Sequence, residues 1–221
     1  MKLPKTVIFD LDGTLVDTGP DLTAALNHVL VSMGRGTMTE ESVKELIGHG
    51  ARRLLERGLA ATGEVTPELI EAGFGPFLQY YAANICVYSR PYPGIETAMD
   101  MLAAAGCTLA VCTNKPQGLS DQLIGALGWS ARFAAVVGSD SVPDKKPHPG
   151  HLFATMERAG ADLADCAYVG DSSVDVETAK AAGVPVIAVS FGFPDRPAHS
   201  LGADAVIDHY DELIEALRRL S

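Results

Sequence analysis

The sequence predicts an α/β fold, a parallel sheet wound on both faces by helices and interrupted near its start by an all-helical insertion. Three observations carry that prediction. The β-branched apolar run Thr6-Val7-Ile8-Phe9 ends in Asp10-Leu11-Asp12-Gly13, the form of a buried parallel strand closed by a turn. From about Pro91 onward, apolar runs alternate with helical patterns, as in sheets built from strand–helix–strand units. Between about Pro20 and Ala83 there are helical spacings and no convincing strand.

The elements follow in order. After the first strand, Leu22, Ala25, Leu26, Val29, Leu30 and Met33 repeat at helical intervals, then Val43, Leu46 and Ile47, then Leu54, Leu55 and Leu59, each an apolar stripe along one helix face. The later half predicts a helix over 94–106, strand 108–113, helix 117–128, strand 134–138, helix 150–160, strand 166–170, helix 174–182, strand 185–190, a short strand at 205–207 and a helix over 210–220. A lone first strand cannot bury itself, so it joins the later sheet. The chain then divides into a discontinuous α/β core, residues 1–16 and 89–221, and a helical cap, residues 17–88. Val16 to Gly19 and Tyr88 to Gly94, with Pro91 and Pro93, read as the two hinges.

Composition narrows the function classes. With 221 residues and 47% hydrophobic content, the chain can bury a sizeable core. Its net charge of −11 disfavours nucleic acid, whose binding rests on Lys and Arg neutralising phosphates. A small anionic substrate stays compatible, because a few cations reverse the field inside one cleft. No run approaches the roughly 18 apolar residues of a membrane span, and no signal-like stretch precedes Asp10. Cys86, Cys107, Cys112 and Cys166 lack metal-site spacing and read as reduced packing thiols. A cytoplasmic protein, monomer or homodimer, is expected.

Asp10 and Asp12 stand at the carboxyl end of a strand, where ligands bind in open α/β sheets. Two acids there are costly unless a cation neutralises one or one takes a proton. Taken alone, the pair reads equally as a strand-ending turn that caps the next helix. Three further segments shift the balance: Val111-Cys112-Thr113-Asn114, Lys145-Lys146-Pro147-His148-Pro149, and Tyr168-Val169-Gly170-Asp171-Ser172-Ser173-Val174-Asp175. The ordered set Asp-x-Asp-Gly-Thr, Thr-Asn, Lys-Pro-x-Pro and Gly-Asp-Ser-x-x-Asp resembles the haloacid dehalogenase superfamily of phosphohydrolases over nearly the whole chain.

That resemblance implies a Rossmann-like core, a Mg²⁺ cofactor and an aspartyl-phosphate intermediate. It assigns Asp10 as nucleophile and Asp12 as the acid that protonates the leaving oxygen and later deprotonates water. Phosphoryl transfer needs its equatorial oxygens clamped, and Thr113, Asn114 and Lys146 fit that demand. Lys115 stays open between a secondary phosphate contact and a surface charge. The metal would take Asp10, the backbone carbonyl of Asp12 and Asp171, hard oxygen ligands suited to Mg²⁺. Asp175 reads as a group supporting that site or as a helix N-terminal acid. His148 and His151 read as surface or packing residues, since they complete no zinc pattern.

The segment Leu46-Ile47-Gly48-His49-Gly50-Ala51-Arg52-Arg53-Leu54-Leu55 resembles the cap of bacterial phosphoglycolate phosphatases. This implies 2-phosphoglycolate as substrate, with Arg52 or His49 facing its carboxylate. Either side chain reads equally as a solvated helix charge. Alternatives are a broader sugar-phosphate or nucleotide phosphatase, a pyrophosphatase, a phosphoglucomutase-like enzyme, or a catalytically silent binding module of the same fold.

Overall fold

A computed structural model describes residues 2–220. Its main sheet has six parallel strands: β1 (Thr6–Phe9), β4 (Thr108–Cys112), β5 (Ala135–Val137), β6 (Cys166–Gly170), β7 (Val186–Val189) and β8 (Ala205–Ile207). Their order is β5-β4-β1-β6-β7-β8. β1 therefore lies between the two directions of winding, with Phe9 level with Val111 on one side and Val169 on the other. The residues just beyond these positions share one crevice, the place where a doubly wound sheet binds ligands. β1, β6 and β7 are buried throughout, which explains their unbroken apolar runs.

Helices α5 (Ile95–Ala104), α6 (Gln117–Ala126), α7 (Pro149–Ala159), α8 (Ser173–Ala182) and α9 (Leu213–Leu220) cover the sheet. Ile95, Met99 and Leu217 pack with Val7, Phe9 and Val169 on one face. Leu152, Met156 and Ala179 pack with Ile8 and Tyr168 on the other. The observed ends fall within two or three residues of the sequence-based ones, except that 210–220 begins with a 3₁₀ turn over Tyr210–Glu212.

Between β1 and the rest of the sheet lie α1 (Gly19–Ser32), α2 (Glu40–Lys44), α3 (Ala51–Thr62) and α4 (Pro67–Ala83). They surround their own apolar cluster, including Leu26, Val29, Leu55, Leu59 and Phe77, into which Leu119 and Phe193 reach from the sheet side. The stripes do not single out α4, because Gly73, Gly75 and Pro76 interrupt its interior. It forms nonetheless. Thr66 caps it by accepting from Leu69 N–H at 3.3 Å, and Pro67 takes the first turn.

The two segments that join the helical block to the sheet are not loose linkers. β2 (Val16–Asp17) and β3 (Arg90–Pro91) pair antiparallel, Val16 facing Pro91 and Asp17 facing Arg90. Buried Asp21 of α1 reinforces the junction by accepting from Tyr88 N–H at 3.0 Å, Ser89 N–H at 2.8 Å and the Ser89 hydroxyl at 2.6 Å. Among the described residues, no helix is long and apolar enough to cross a membrane, and the four cysteines are free.

Candidate active site

Asp10 follows β1 directly, and its N–H donates to Val169 O at 2.9 Å, continuing the ladder. Its nearly buried carboxylate accepts from Lys146 Nζ at 2.8 Å through Oδ1. Burial pushes its pKa up to about 6, against the pull of the Lys146 ammonium. The chain then turns back at Gly13, where φ is +85° and a Cβ would lie 2.2 Å from Asp171 Oδ2. Only glycine meets both conditions. The turn separates the two acids: Asp12 accepts from Thr18 Oγ1 at 2.7 Å and from Lys115 Nζ at 2.8 and 3.1 Å.

Thr113, Asn114 and Lys115 follow β4. Thr113 Oγ1 accepts from Lys115 N–H at 3.2 Å, which leaves its own hydroxyl proton for a ligand. Asn114 donates to Lys146 O at 3.1 Å, while its buried Oδ1 has no partner among the described residues. Lys115 is only 5% exposed, so the surface-charge reading does not describe it. Its Nζ also donates to the Tyr81 hydroxyl of α4 at 2.7 Å. Tyr81 and Thr18 carry no motif; one sits on the unmarked helix and the other between β2 and α1.

Lys146 is buried with every ammonium proton engaged. Besides Asp10 it donates to Asp175 at 2.7 Å and to the Tyr168 hydroxyl at 3.0 Å. Burial works against its charge, but Asp10 and Asp175 outweigh that and hold its pKa above the ordinary lysine value. His151 fixes the loop: Nδ1 accepts from Lys146 N–H at 3.3 Å, and Nε2, carrying the proton, donates to Val137 O at 3.1 Å. His148 is exposed and caps α7 through Gly150 N–H at 3.1 Å. Both are thus structural, as expected.

Burial, then the Lys146 charge, push the His151 pKa down to about 4. The unfolded chain takes a proton near pH 6.5 that the folded chain refuses until about pH 4, so stability falls as pH drops through that window. His151→Gln, studied in chelator, is expected to flatten this slope. The wild type should lose on the order of 3 kcal/mol relative to the variant between pH 7 and pH 4, measured by denaturant unfolding. Parallel pH profiles would contradict a neutral buried imidazole.

Beyond β6, Asp171 accepts from Phe193 N–H at 2.6 Å and from Thr14 Oγ1 at 3.2 Å. Burial, then Asp175 and Asp10, push its pKa well up. Asp175 opens α8 in a reciprocal cap with Ser172, accepting from its N–H at 3.1 Å and hydroxyl at 2.7 Å. Burial alone would raise its pKa, but Lys146, with Ser172 and Tyr168, holds it below the ordinary range. Asp10, Asp171 and Asp175 each bring a carboxylate oxygen within 4.8 Å of the others. Three buried acids face the single Lys146 ammonium. The hard-oxygen donors and the excess negative charge fit a divalent cation.

These groups form the floor of a cleft roofed by Leu22, Ile47, Gly48, Gly50, Ala51 and Leu54. Asp10, Asp12, Thr113, Asn114, Lys146 and Asp175 all line it, and Asp171 lies beneath. Arg52 is not brought there. Leu54 and Leu55 occupy the inward face of α3, so Arg52 projects outward, paired with Glu71 at 2.7 and 3.1 Å and 4.6 Å from the Phe74 ring. With His49, Arg53 and Lys145 it lines a neighbouring groove.

The profile of the haloacid dehalogenase-like hydrolases matches residues 7–189, a span containing every residue of this floor. The chain belongs to the haloacid dehalogenase-like hydrolases. Within that family it is 43% identical to the phosphoglycolate phosphatase of Mesorhizobium japonicum over 217 residues, covering 97% of this chain and 95% of that protein. The phosphoglycolate phosphatase of Agrobacterium fabrum is 42% identical, with 97% and 93% covered. Among solved structures, a predicted phosphoglycolate phosphatase from Haemophilus somnus superposes with a TM-score of 0.91 at 31% identity, covering 97% of this chain and 98% of that one. As a hydrolase of this family, the protein has Asp10 and Asp171 just beyond β1 and β6 and Lys146 in the loop before α7, in the order of the motifs.

Proposed function

We propose that the protein is a phosphoric monoester hydrolase that converts 2-phosphoglycolate to glycolate and orthophosphate. The observation that carries the reading is the pairing of Asp10 with Lys146 at 2.8 Å on the floor of a cleft roofed by the helical block. The likeness to phosphoglycolate phosphatases over nearly the full length supports the substrate. Asp10 Oδ2, which has no partner among the described residues, attacks phosphorus while Lys146 holds Oδ1. A P–O bond forms to Asp10 as the ester P–O bond breaks, and Asp12 gives the leaving oxygen its proton. In the second half, Asp12 takes a proton from the water that cleaves the aspartyl-phosphate. Thr113 and Asn114 donate to the phosphate oxygens, and the Lys146 ammonium, held by Asp10, Asp175 and Tyr168, adds positive charge beside them.

Asp10, Asp171 and the backbone carbonyl of Asp12 would hold Mg²⁺, with Asp175 supporting the site through Lys146 and the backbone. When bound, the ion supplies charge neutralisation between an anionic nucleophile and an anionic phosphate. We also infer a cytoplasmic enzyme, monomer or homodimer, since four free thiols suit a reducing compartment.

The test is phosphate release from a panel of monoesters. Phosphoglycolate is expected to show the highest kcat/KM, with chelator abolishing turnover, Mg²⁺ restoring it and Ca²⁺ restoring little, because a larger and looser coordination shell misplaces the reacting groups. A sugar phosphate or nucleotide ranking first would replace the substrate. Full activity in chelator would remove the metal from the mechanism.

A further inference from the structure

We propose that Lys115, presented by Tyr81, receives the second anionic group of the substrate, its carboxylate. The inference rests on the preceding reading of the reaction, because it locates the carboxylate from the place of Asp12. Asp12 acts on the leaving oxygen, and Lys115 Nζ lies 2.8 Å from the Asp12 carboxylate. In phosphoglycolate the carboxyl carbon is only two bonds from that oxygen. A substrate seated for proton transfer from Asp12 therefore carries its carboxylate into the neighbourhood of Lys115.

The remaining cations are unsuited. Lys146 and Lys115 are the two basic side chains lining the cleft among the described residues. Lys146 is saturated by two carboxylates and a phenol. Arg52 is committed to Glu71 outside the cleft. Lys115 has one carboxylate partner, Asp12, and its other contact is the neutral Tyr81 hydroxyl at 2.7 Å. That hydroxyl can yield its place to a carboxylate, a stronger acceptor for an ammonium. The roof offers apolar side chains and glycine backbone and no cation of its own, so a cationic partner for an enclosed carboxylate comes from the floor. Tyr81 belongs to α4, and its ring centroid is 4.5 Å from Nζ, so the inserted helices aim a lysine that the sheet supplies.

The measurement compares phosphoglycolate with 2-hydroxyethyl phosphate, the same skeleton with CH₂OH in place of the carboxylate. Lys115→Met is expected to slow both, since Asp12 loses a partner, but to lower the ratio of their kcat/KM values by roughly ten- to a hundredfold. Lys115→Arg keeps a cation and should retain most of the ratio. Arg52→Ala should leave it within about threefold of wild type, as an exposed ion pair predicts. The inhibition constant of glycolate should rise in Lys115→Met, which reads binding where kcat reads rate. Equal losses for both substrates in Lys115→Met, or a ratio that collapses in Arg52→Ala, would overturn the proposal. If the wild type itself does not prefer phosphoglycolate, the substrate reading fails first, and that result is visible before any variant is made.

Discussion

Asp10→Asn is expected to bring turnover of every phosphate monoester down to background, a loss of at least about a thousandfold, with the fold intact. Asn preserves the volume at the end of β1 but lacks the anionic oxygen that attacks phosphorus, and it removes one negative group from the acidic cluster. The fold should not suffer, because Asp10 is not held ionised for stability. Its carboxyl is pushed up to about 6, above the ordinary aspartate value. A raised carboxyl favours the folded state at low pH and loses that advantage as pH rises through the folded pKa. At pH 7.5 without metal, Asp10→Asn should therefore be no less stable than wild type by calorimetry. Lys146 keeps Asp175 as its counter-ion at 2.7 Å. Substantial residual phosphate release would remove Asp10 from the nucleophile's role.

Lys146→Met should abolish activity as well, and unlike Asp10→Asn it should destabilise the protein. The substitution keeps an unbranched chain and removes the buried ammonium between Asp10 and Asp175. Removing one member of a buried ion pair leaves an uncompensated charge and costs about 3–5 kcal/mol. Its direction with pH separates this from a packing defect. Without the ammonium both carboxyls move up, so protonation favours the folded variant, and its deficit should shrink as pH falls from about 7.5 to 5.5. Mg²⁺ at neutral pH should recover part of the loss by replacing the missing positive charge. Urea unfolding across pH, with and without Mg²⁺, gives both readings. A deficit unchanged by acid and by Mg²⁺ would mean that Lys146 contributes shape and not charge.

The strand ends were legible because their chemistry is local in sequence. Each of Asp10, Thr113-Asn114 and Asp171 follows an apolar run that reads as a buried strand, so their meeting in one crevice follows from the parallel topology. The groups that orient them were not legible. Tyr168, His151 and Tyr81 are aromatic residues of ordinary core appearance, and their polar atoms find partners from segments distant in sequence. Lys115 and Arg52 show the same limit from opposite sides. A Lys after a strand-end Thr-Asn and an Arg at a helix start are equally open to solvent or site in sequence. The first is buried against Tyr81 of α4, and the inward turn of Leu54 and Leu55 sends the second outward. The strands β2 and β3 escaped for a simpler reason, since two residues each are too few to show a period of two.

Because Val16 faces Pro91 and Asp17 faces Arg90, the chain leaves the sheet and returns to it at points about 5 Å apart. Whatever lies between them is a loop with its mouth already shut. Closing such a loop costs only about 0.6 kcal/mol more for each doubling of its length, so the sheet is nearly indifferent to the size and content of what is inserted there. The acidic floor is in this sense portable. A different helical unit, or a much shorter turn, could be spliced across the same two-rung ladder without rebuilding β1 or its neighbours. Such a splice would exchange Tyr81 and the apolar roof while leaving Asp10, Lys146 and Asp171 where they stand.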